Sequence, residues 1–180
     1  MENQYKYCGM MSDISSELCQ PLQTLKNEHG PLTVQMEKLY EASIKVGNDS
    51  SIDNWVEQIV DLKTNVVAFV QDLEFHSECE EDVLFPMMAN YIGREIGPIA
   101  VMEYEHEQAK LHLKNFLEKT SDLYSEVNGE EAKGIANLVV QAYLILMEHF
   151  AKEENILFPM AEQMLSNEEK EELRKKIIVL

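Results

Sequence analysis

One stretch of this sequence occurs twice, and that repetition constrains the fold more than any other feature. The copies read His76-Ser-Glu-Cys-Glu80-Glu-Asp-Val-Leu-Phe-Pro86-Met and His149-Phe-Ala-Lys-Glu153-Glu-Asn-Ile-Leu-Phe-Pro159-Met. They align without a gap and share His, both Glu, an aliphatic residue, Leu, Phe, Pro and Met. On an α-helix residues i and i+4 lie one above the other. His76 with Glu80, and His149 with Glu153, therefore form two imidazole–carboxylate pairs, each able to grip one side of a metal centre. The Leu-Phe-Pro after each pair supplies apolar bulk to roof such a site.

The repeats sit on apolar series whose steps alternate three and four, the seam of a helix packed in a bundle. The first runs Leu22, Leu25, His29, Leu32, Met36, Leu39, Ser43, Val46, and the second Ile59, Leu62, Val66, Phe69, Leu73, His76, Glu80. The third runs Ile99, Met102, His106, Ala109, Leu113, Phe116, Thr120, Leu123, and the fourth Ile135, Leu138, Ala142, Ile145, His149, Glu153. Gly30-Pro31 is expected to kink the first helix and Gly47-Asn-Asp-Ser-Ser to close it. Asp53 is expected to cap the second, and Pro86 to bend or end it. Gly97-Pro98 and Asn128-Gly129 mark the next turns, and the fourth helix is expected to end near Pro159. Short loops between long amphipathic helices predict an all-α fold, an antiparallel up-down-up-down four-helix bundle with short N- and C-terminal extensions. Residues 1–20 read as a lead-in and 21–165 as the bundle. Residues 166–180 read as a charged surface helix, Asn167 to Lys176, with an apolar tail that packs on its own chain.

One histidine falls on each inward seam: His29, His76, His106 and His149. In an antiparallel bundle, the early positions of His29 and His106 meet the late positions of His76 and His149 at one level. Glu80 and Glu153 share those seams, and no Lys or Arg sits on them nearby. Burying two carboxylates without cations is very costly, and a metal pair would neutralise them. Imidazole and carboxylate without thiolate suit iron, manganese or zinc. Redox-active iron is favoured: two iron ions, joined by an oxo bridge, with Glu80 and Glu153 bridging and the four histidines capping. Six residues do not saturate two octahedral ions, which leaves room for a small ligand, O2 or NO. Cys79 beside Glu80, Glu103 in Glu103-Tyr-Glu-His106, and Lys110 one turn after His106 are candidates for supporting positions just outside the ligands. Glu103 is also a candidate extra ligand or proton shuttle, whereas His112 lies off the seam and reads as a surface residue.

With 33 acidic and 15 basic residues the net charge is −18, which would repel a phosphate backbone and excludes nucleic acid as a natural partner. No apolar run approaches the roughly 20 residues that span a bilayer, so no membrane role is expected. The N-terminus lacks the basic-then-apolar pattern of a signal peptide, so a cytoplasmic location is expected. Cys8, Cys19 and Cys79 form no CxxC pair, which fits a reducing compartment. No nucleophile sits in a recognisable catalytic motif, and no Gly-rich phosphate loop is present.

At these residues the chain resembles the hemerythrin-like (HHE cation-binding) family, over approximately residues 22–165. The matching pieces are Glu28-His29, His76 with Glu80 and Leu-Phe-Pro, Glu105-His106, and His149 with Glu153. The oxygen-carrying members place a further histidine one turn after the helix-three histidine, where this chain has Lys110, and commonly have His-x4-Asp on helix four. The four-His, two-Glu set is more similar to the di-iron domain of the repair-of-iron-centres proteins. That resemblance implies a non-haem di-iron protein acting in oxidative or nitrosative stress, with an iron–sulfur protein as partner. Those proteins usually carry an additional N-terminal domain with a cysteine pair, where this chain has about 20 residues with Cys8 and Cys19 apart. Reversible oxygen binding or sensing is the alternative, and a metal-free helical interaction module a further one. A ferritin-like oxidase centre needs Glu-x-x-His on two helices. Only Glu103 to His106 fits, because Leu73 and Leu146 fill the equivalent places.

Overall fold

A computed structural model describes residues 17–49, 51–52, 54–123 and 126–177. Among them are seven α-helices and no strand: α1 (Gln20–Ser43), α2 (Val56–Cys79), α3 (Phe85–Ile92), α4 (Pro98–Lys119), α5 (Gly129–Lys152), α6 (Phe158–Met164) and α7 (Asn167–Ile177). Single π-helical turns, Glu80–Leu84 and Glu153–Leu157, splice α2 to α3 and α5 to α6. Helices α1, α2, α4 and α5 form the bundle, each packed on two of the others in the cyclic order α1, α2, α4, α5. Their antiparallel sense is fixed by cross-helix pairs. Gln35 donates to Asp72 at 2.8 Å, Lys63 donates to the Thr120 carbonyl at 2.8 Å, and the Tyr40 and Tyr143 rings stack at 4.4 Å.

On α5 the buried face is Ala132, Ala136, Val139, Ala142, Leu146 and His149, so Ile135, Leu138 and Ile145 of the expected fourth seam are only partly buried. On the other three bundle helices the seam residues are the buried ones. On α1 they are Leu22, Leu25, His29, Leu32, Met36, Leu39 and Ser43, joined by Pro21 in the first turn. Helix α5 opens with a capping box, in which Asn128 accepts from the Glu131 N–H and Glu131 accepts from the Asn128 N–H. Asp53, the expected cap of α2, lies outside the described residues; there Asn54 accepts from the Val56 N–H at 3.0 Å. Pro31 does not interrupt α1, which runs through it for 24 residues. Both Pro31 and Asn27, whose carbonyl loses its helical partner, face solvent, so water can take the place of the missing bond.

Pro86 and Pro159 end nothing either. Each follows a π turn in which the Phe85 or Phe158 N–H reaches back five residues to the Glu80 or Glu153 carbonyl. That shift of register puts each proline in the first turn of the next α segment. A missing N–H costs nothing there. The result is a longer helix than composition suggested: Gly129–Met164 is a continuous 36-residue helix, and one 18-residue stretch of it is long and apolar enough, by length and composition alone, to cross a bilayer. Its buried face packs in the bundle and carries His149 and Glu153, the character of a core helix.

The apolar core is divided in two. One cluster fills the loop end, with Trp55, Phe69, Leu113 and Phe116. The other fills the opposite end, with Leu22, Leu25, Leu84, Phe85, Met88, Leu157 and Phe158. Helix α7 is more than a surface helix, since Leu173 and Ile177 are buried in this second cluster. Lys170 clamps it to α6 by donating to the Glu162 carboxylate at 2.7 Å, and Glu162 also accepts from the Cys19 N–H. Of the apolar tail, residues 178–180 lie outside the described residues.

Gly47 holds the turn after α1 against the start of α5. Its φ is +77°, and a Cβ there would lie 2.3 Å from the Gly129 carbonyl oxygen and 2.7 Å from Lys133 Cβ. Gly47→Ala is expected to cost about 2 kcal/mol or more, from left-handed backbone strain and overpacking together. Urea denaturation measures this; a loss under about 0.5 kcal/mol, the range of neutral surface changes, would mean that the turn rearranges freely.

Candidate metal centre

Between the two apolar clusters lies a polar layer. His29 follows Leu25 of one cluster and precedes Leu32 of the other, and His76, His106 and His149 occupy the equivalent level. All four histidines are buried, and Glu80 and Glu153 have no exposed surface. The six candidate ligands form two overlapping groups, His29, His76, Glu80, Glu153 and Glu80, His106, His149, Glu153, each with its ligand atoms within 4.8 Å of one another. Both glutamates belong to both groups. Glu80 Oε2 stands 3.5 Å from Nε2 of His76 and of His106, while Glu153 stands 3.3 Å from His29 and 3.0 Å from His149.

Each imidazole turns its other nitrogen to an outer carboxylate. His29 Nδ1 meets Glu154 at 2.9 Å, His76 meets Glu28 at 2.8 Å, His106 meets Glu81 at 2.7 Å and His149 meets Glu105 at 3.2 Å. An ionised carboxylate only accepts, so Nδ1 carries the proton and Nε2 is left facing the centre. The sequence pairs Glu28 with His29 and Glu105 with His106, but the fold does not. Successive helical residues are turned about 100° apart. The carboxylate beside each inward group therefore points sideways, at the next helix. Glu28 on α1 serves α2, Glu81 serves α4, Glu105 on α4 serves α5, and Glu154 serves α1, which closes a ring. Sequence reasoning missed this ring, although the Glu-His and Glu-Glu dipeptides are its signature.

The donor set fits a cation pair. Among the described residues, eight buried atoms of this cluster have no hydrogen-bond partner: Nε2 of the four histidines and all four carboxylate oxygens of Glu80 and Glu153. The contact from His149 Nε2 to Glu153 is close but poorly aligned as a hydrogen bond. Phe85 stacks near His106 at 5.8 Å, Phe150 lies against His29 at 4.1 Å and Phe158 against His29 at 5.6 Å, so the Leu-Phe-Pro roof is in place.

Charges in the metal-free cluster compensate one another. Burial, with Glu153 alongside, pushes the Glu80 carboxyl well above the ordinary range. Burial acts the same way on Glu153, but His149 and His29 outweigh it and hold Glu153 below the ordinary range. Burial drives His149 down, yet Glu153 and Glu105 overcome it and lift the imidazole to about 9. His106 is lowered, mainly by burial. Burial opposes ionisation of Glu81, but hydrogen bonds from His106 and Lys110 hold it at about 2.

The other candidates sort differently. Lys110 donates to Glu81 at 2.8 Å and so reaches His106 through that carboxylate. Glu103 is drawn away by Arg94, whose Nε donates to it at 2.7 Å, and belongs to neither ligand group. Cys79 is buried in the second apolar cluster, where burial and the nearby Glu28 and Glu78 push its thiol to about 11 and keep it protonated. His112 is half-buried rather than on the surface, with Nδ1 buried and unpartnered among the described residues. Cys8 lies outside the described residues.

Comparison with known proteins covers the part of the chain that carries these residues. The family model of the hemerythrin HHE cation binding domain matches residues 20–161. The chain is 34% identical over 106 residues to the iron-sulfur cluster repair protein YtfE of Musicola paradisiaca, covering 56% of this chain and 46% of that protein. It is 36% identical over 93 residues to the proteins of that name from Citrobacter koseri and Escherichia coli O81, covering 51% of this chain and 42% of each relative. The chain thus spans less than half the length of these curated relatives.

A raised Glu80 pKa means that the folded, metal-free protein holds a proton which the unfolded chain releases above its ordinary value of 4.5. Stability from this group is complete below that value and falls as pH rises toward the folded pKa. Glu80→Gln mimics the protonated acid and escapes the loss. The metal-free variant is expected to match wild type near pH 4.5 and to exceed it increasingly above, by up to about 1.4 kcal/mol per pH unit. Denaturation of both proteins between pH 4.5 and 7.5 reads this directly; a gap that shrinks with pH would reverse the protonation assigned to Glu80.

Proposed function

Because the chain belongs to the hemerythrin HHE cation-binding family, we propose that it is a non-haem di-iron protein that handles iron or binds O2 or NO under oxidative or nitrosative stress. One observation carries the reading: eight unpartnered donor atoms converge in two groups that share Glu80 and Glu153. In this reading His29 and His76 would hold one iron and His106 and His149 the other, with Glu80 and Glu153 available to both. Bound iron supplies one-electron redox chemistry and open positions for a small diatomic ligand.

The chain's own residues supply the rest. Glu154, Glu28, Glu81 and Glu105 fix the four ring orientations and hold the Nδ1 protons, so that Nε2 is the nitrogen each ring presents to a metal. Phe85, Phe150 and Phe158 exclude water and limit access to small ligands. The relatives named for iron-sulfur cluster repair support a role toward iron–sulfur proteins. Reversible oxygen carriage is less favoured, because Lys110 stands where carriers have a fifth histidine and is engaged with Glu81.

Anaerobic iron(II) titration with metal analysis tests the assignment. Two irons per chain are expected in wild type, with stoichiometric binding lost in His76→Ala and in Glu153→Ala. Unchanged iron content in both variants would sink it. Cycling the loaded protein between air and vacuum then separates the roles. Irreversible oxidation supports repair or iron handling, whereas a reversible spectrum would point to a carrier.

A further inference from the structure

The two metal positions share both bridging glutamates, so any difference between them arises in the outer ring, and there the charges are unequal. Both outer carboxylates behind His106 and His149 are neutralised by lysine. Lys110 donates to Glu81 at 2.8 Å, and Lys152 donates to Glu105 in a closer contact. Behind His29 and His76 the neutralisation is weaker. Lys26 stands 3.5 Å from Glu154, and Glu28 has no Lys or Arg within ion-pair distance among the described residues. Glu28 instead lines a cleft between α1 and α2 with a second carboxylate, that of Asp72.

Two physical effects follow, with the same sign. A lysine ammonium beside the ring repels a dication directly. It also draws charge from the carboxylate that accepts the imidazole Nδ1–H, which makes that imidazole a poorer donor to metal. From this asymmetry we infer that the His29/His76 position is the tight one, filled first and emptied last, and that Lys110 and Lys152 make the His106/His149 position the labile one. The inference rests on the two-metal reading above. It assigns Lys110 and Lys152 as positioning residues that act through Glu81 and Glu105, and it makes the ion beside them the one the protein can surrender.

Cobalt(II) is the probe. Protein crystallised with one equivalent is expected to show its anomalous peak between His29 and His76. A peak at His106/His149, or equal occupancy of both, overturns the inference. In solution, competition titration of wild type should resolve two steps. The Lys110→Met/Lys152→Met variant keeps the apolar stems and removes the charges; its second step should tighten by about tenfold, the low end of outer-shell effects, with the first unchanged. Lys26→Met, a separate single change, should tighten the first step and widen the gap instead. Insensitivity of the second step to both lysines, or a shift in the first step alone, overturns the inference while leaving two-metal binding intact. Failure of wild type to bind cobalt at all removes the two-metal reading, and the inference with it.

Discussion

Two glutamates with no exposed surface and, among the described residues, no lysine or arginine against them set the terms for the rest of this bundle. An isolated buried carboxylate is so costly that it gives up its charge unless cations compensate. Here compensation in the metal-free protein is partial, with Glu80 driven toward its neutral form and Glu153 leaning on His149. The layer that holds them cuts the hydrophobic core into two clusters, one on either side. Such a layer subtracts apolar contact from the middle of all four helices. The two clusters must therefore each be well filled, and α3, α6 and α7 enlarge the one that four helices alone would leave thin.

The π turns are how those extra helices are attached. A π turn inserts a residue into helical register, and such turns gather at functional sites. In each copy the turn begins at the glutamate that both donor groups share, directly after the α segment that carries the histidine. It ends with phenylalanine followed by proline, so the chain continues as helix beyond the site. Phe85 and Phe158 are thereby delivered onto the opposite histidines, and both close the layer from the same side.

The inward face was legible on α1, α2 and α4 because it follows the helical period. On α5 the larger Ile135, Leu138 and Ile145 drew the reading off the stripe of Ala132, Ala136, Val139 and Leu146 that is buried. A histidine three or four residues from a leucine must share that leucine's side, whatever else the chain does. The outer ring was not legible, because which neighbour a sideways carboxylate meets depends on the order of helices around the bundle. Glu81 and Glu154 look like ordinary surface acids in the sequence, and only the fold turns them toward His106 and His29. Glu103 failed for the same reason in reverse: it shares a helix with His106, but Arg94, just ahead of α4, captures it. Helix α1 runs through Pro31, and the helix ends expected at Pro86 and Pro159 did not occur, because a proline's cost depends on where its missing bond falls. Solvent absorbs it in the first case and a register shift in the other two.

The duplication explains why the ligands are symmetric, and it also locates where symmetry is broken. Lys152 stands three residues after His149; the same place after His76 holds Cys79, a buried neutral thiol. Lys110 stands four residues after His106, and the same place after His29 holds Thr33. Lys26 precedes His29 by three, and its counterpart before His106 is Glu103, already engaged with Arg94. Every ligand position is thus kept between the two halves, while every lysine position around the ring differs. Two ions in such a cage have equivalent ligands but unequal electrostatic surroundings. A di-iron unit that must give up or oxidise one ion before the other needs that inequality, and side chains that never touch the metal are the least disruptive place to build it.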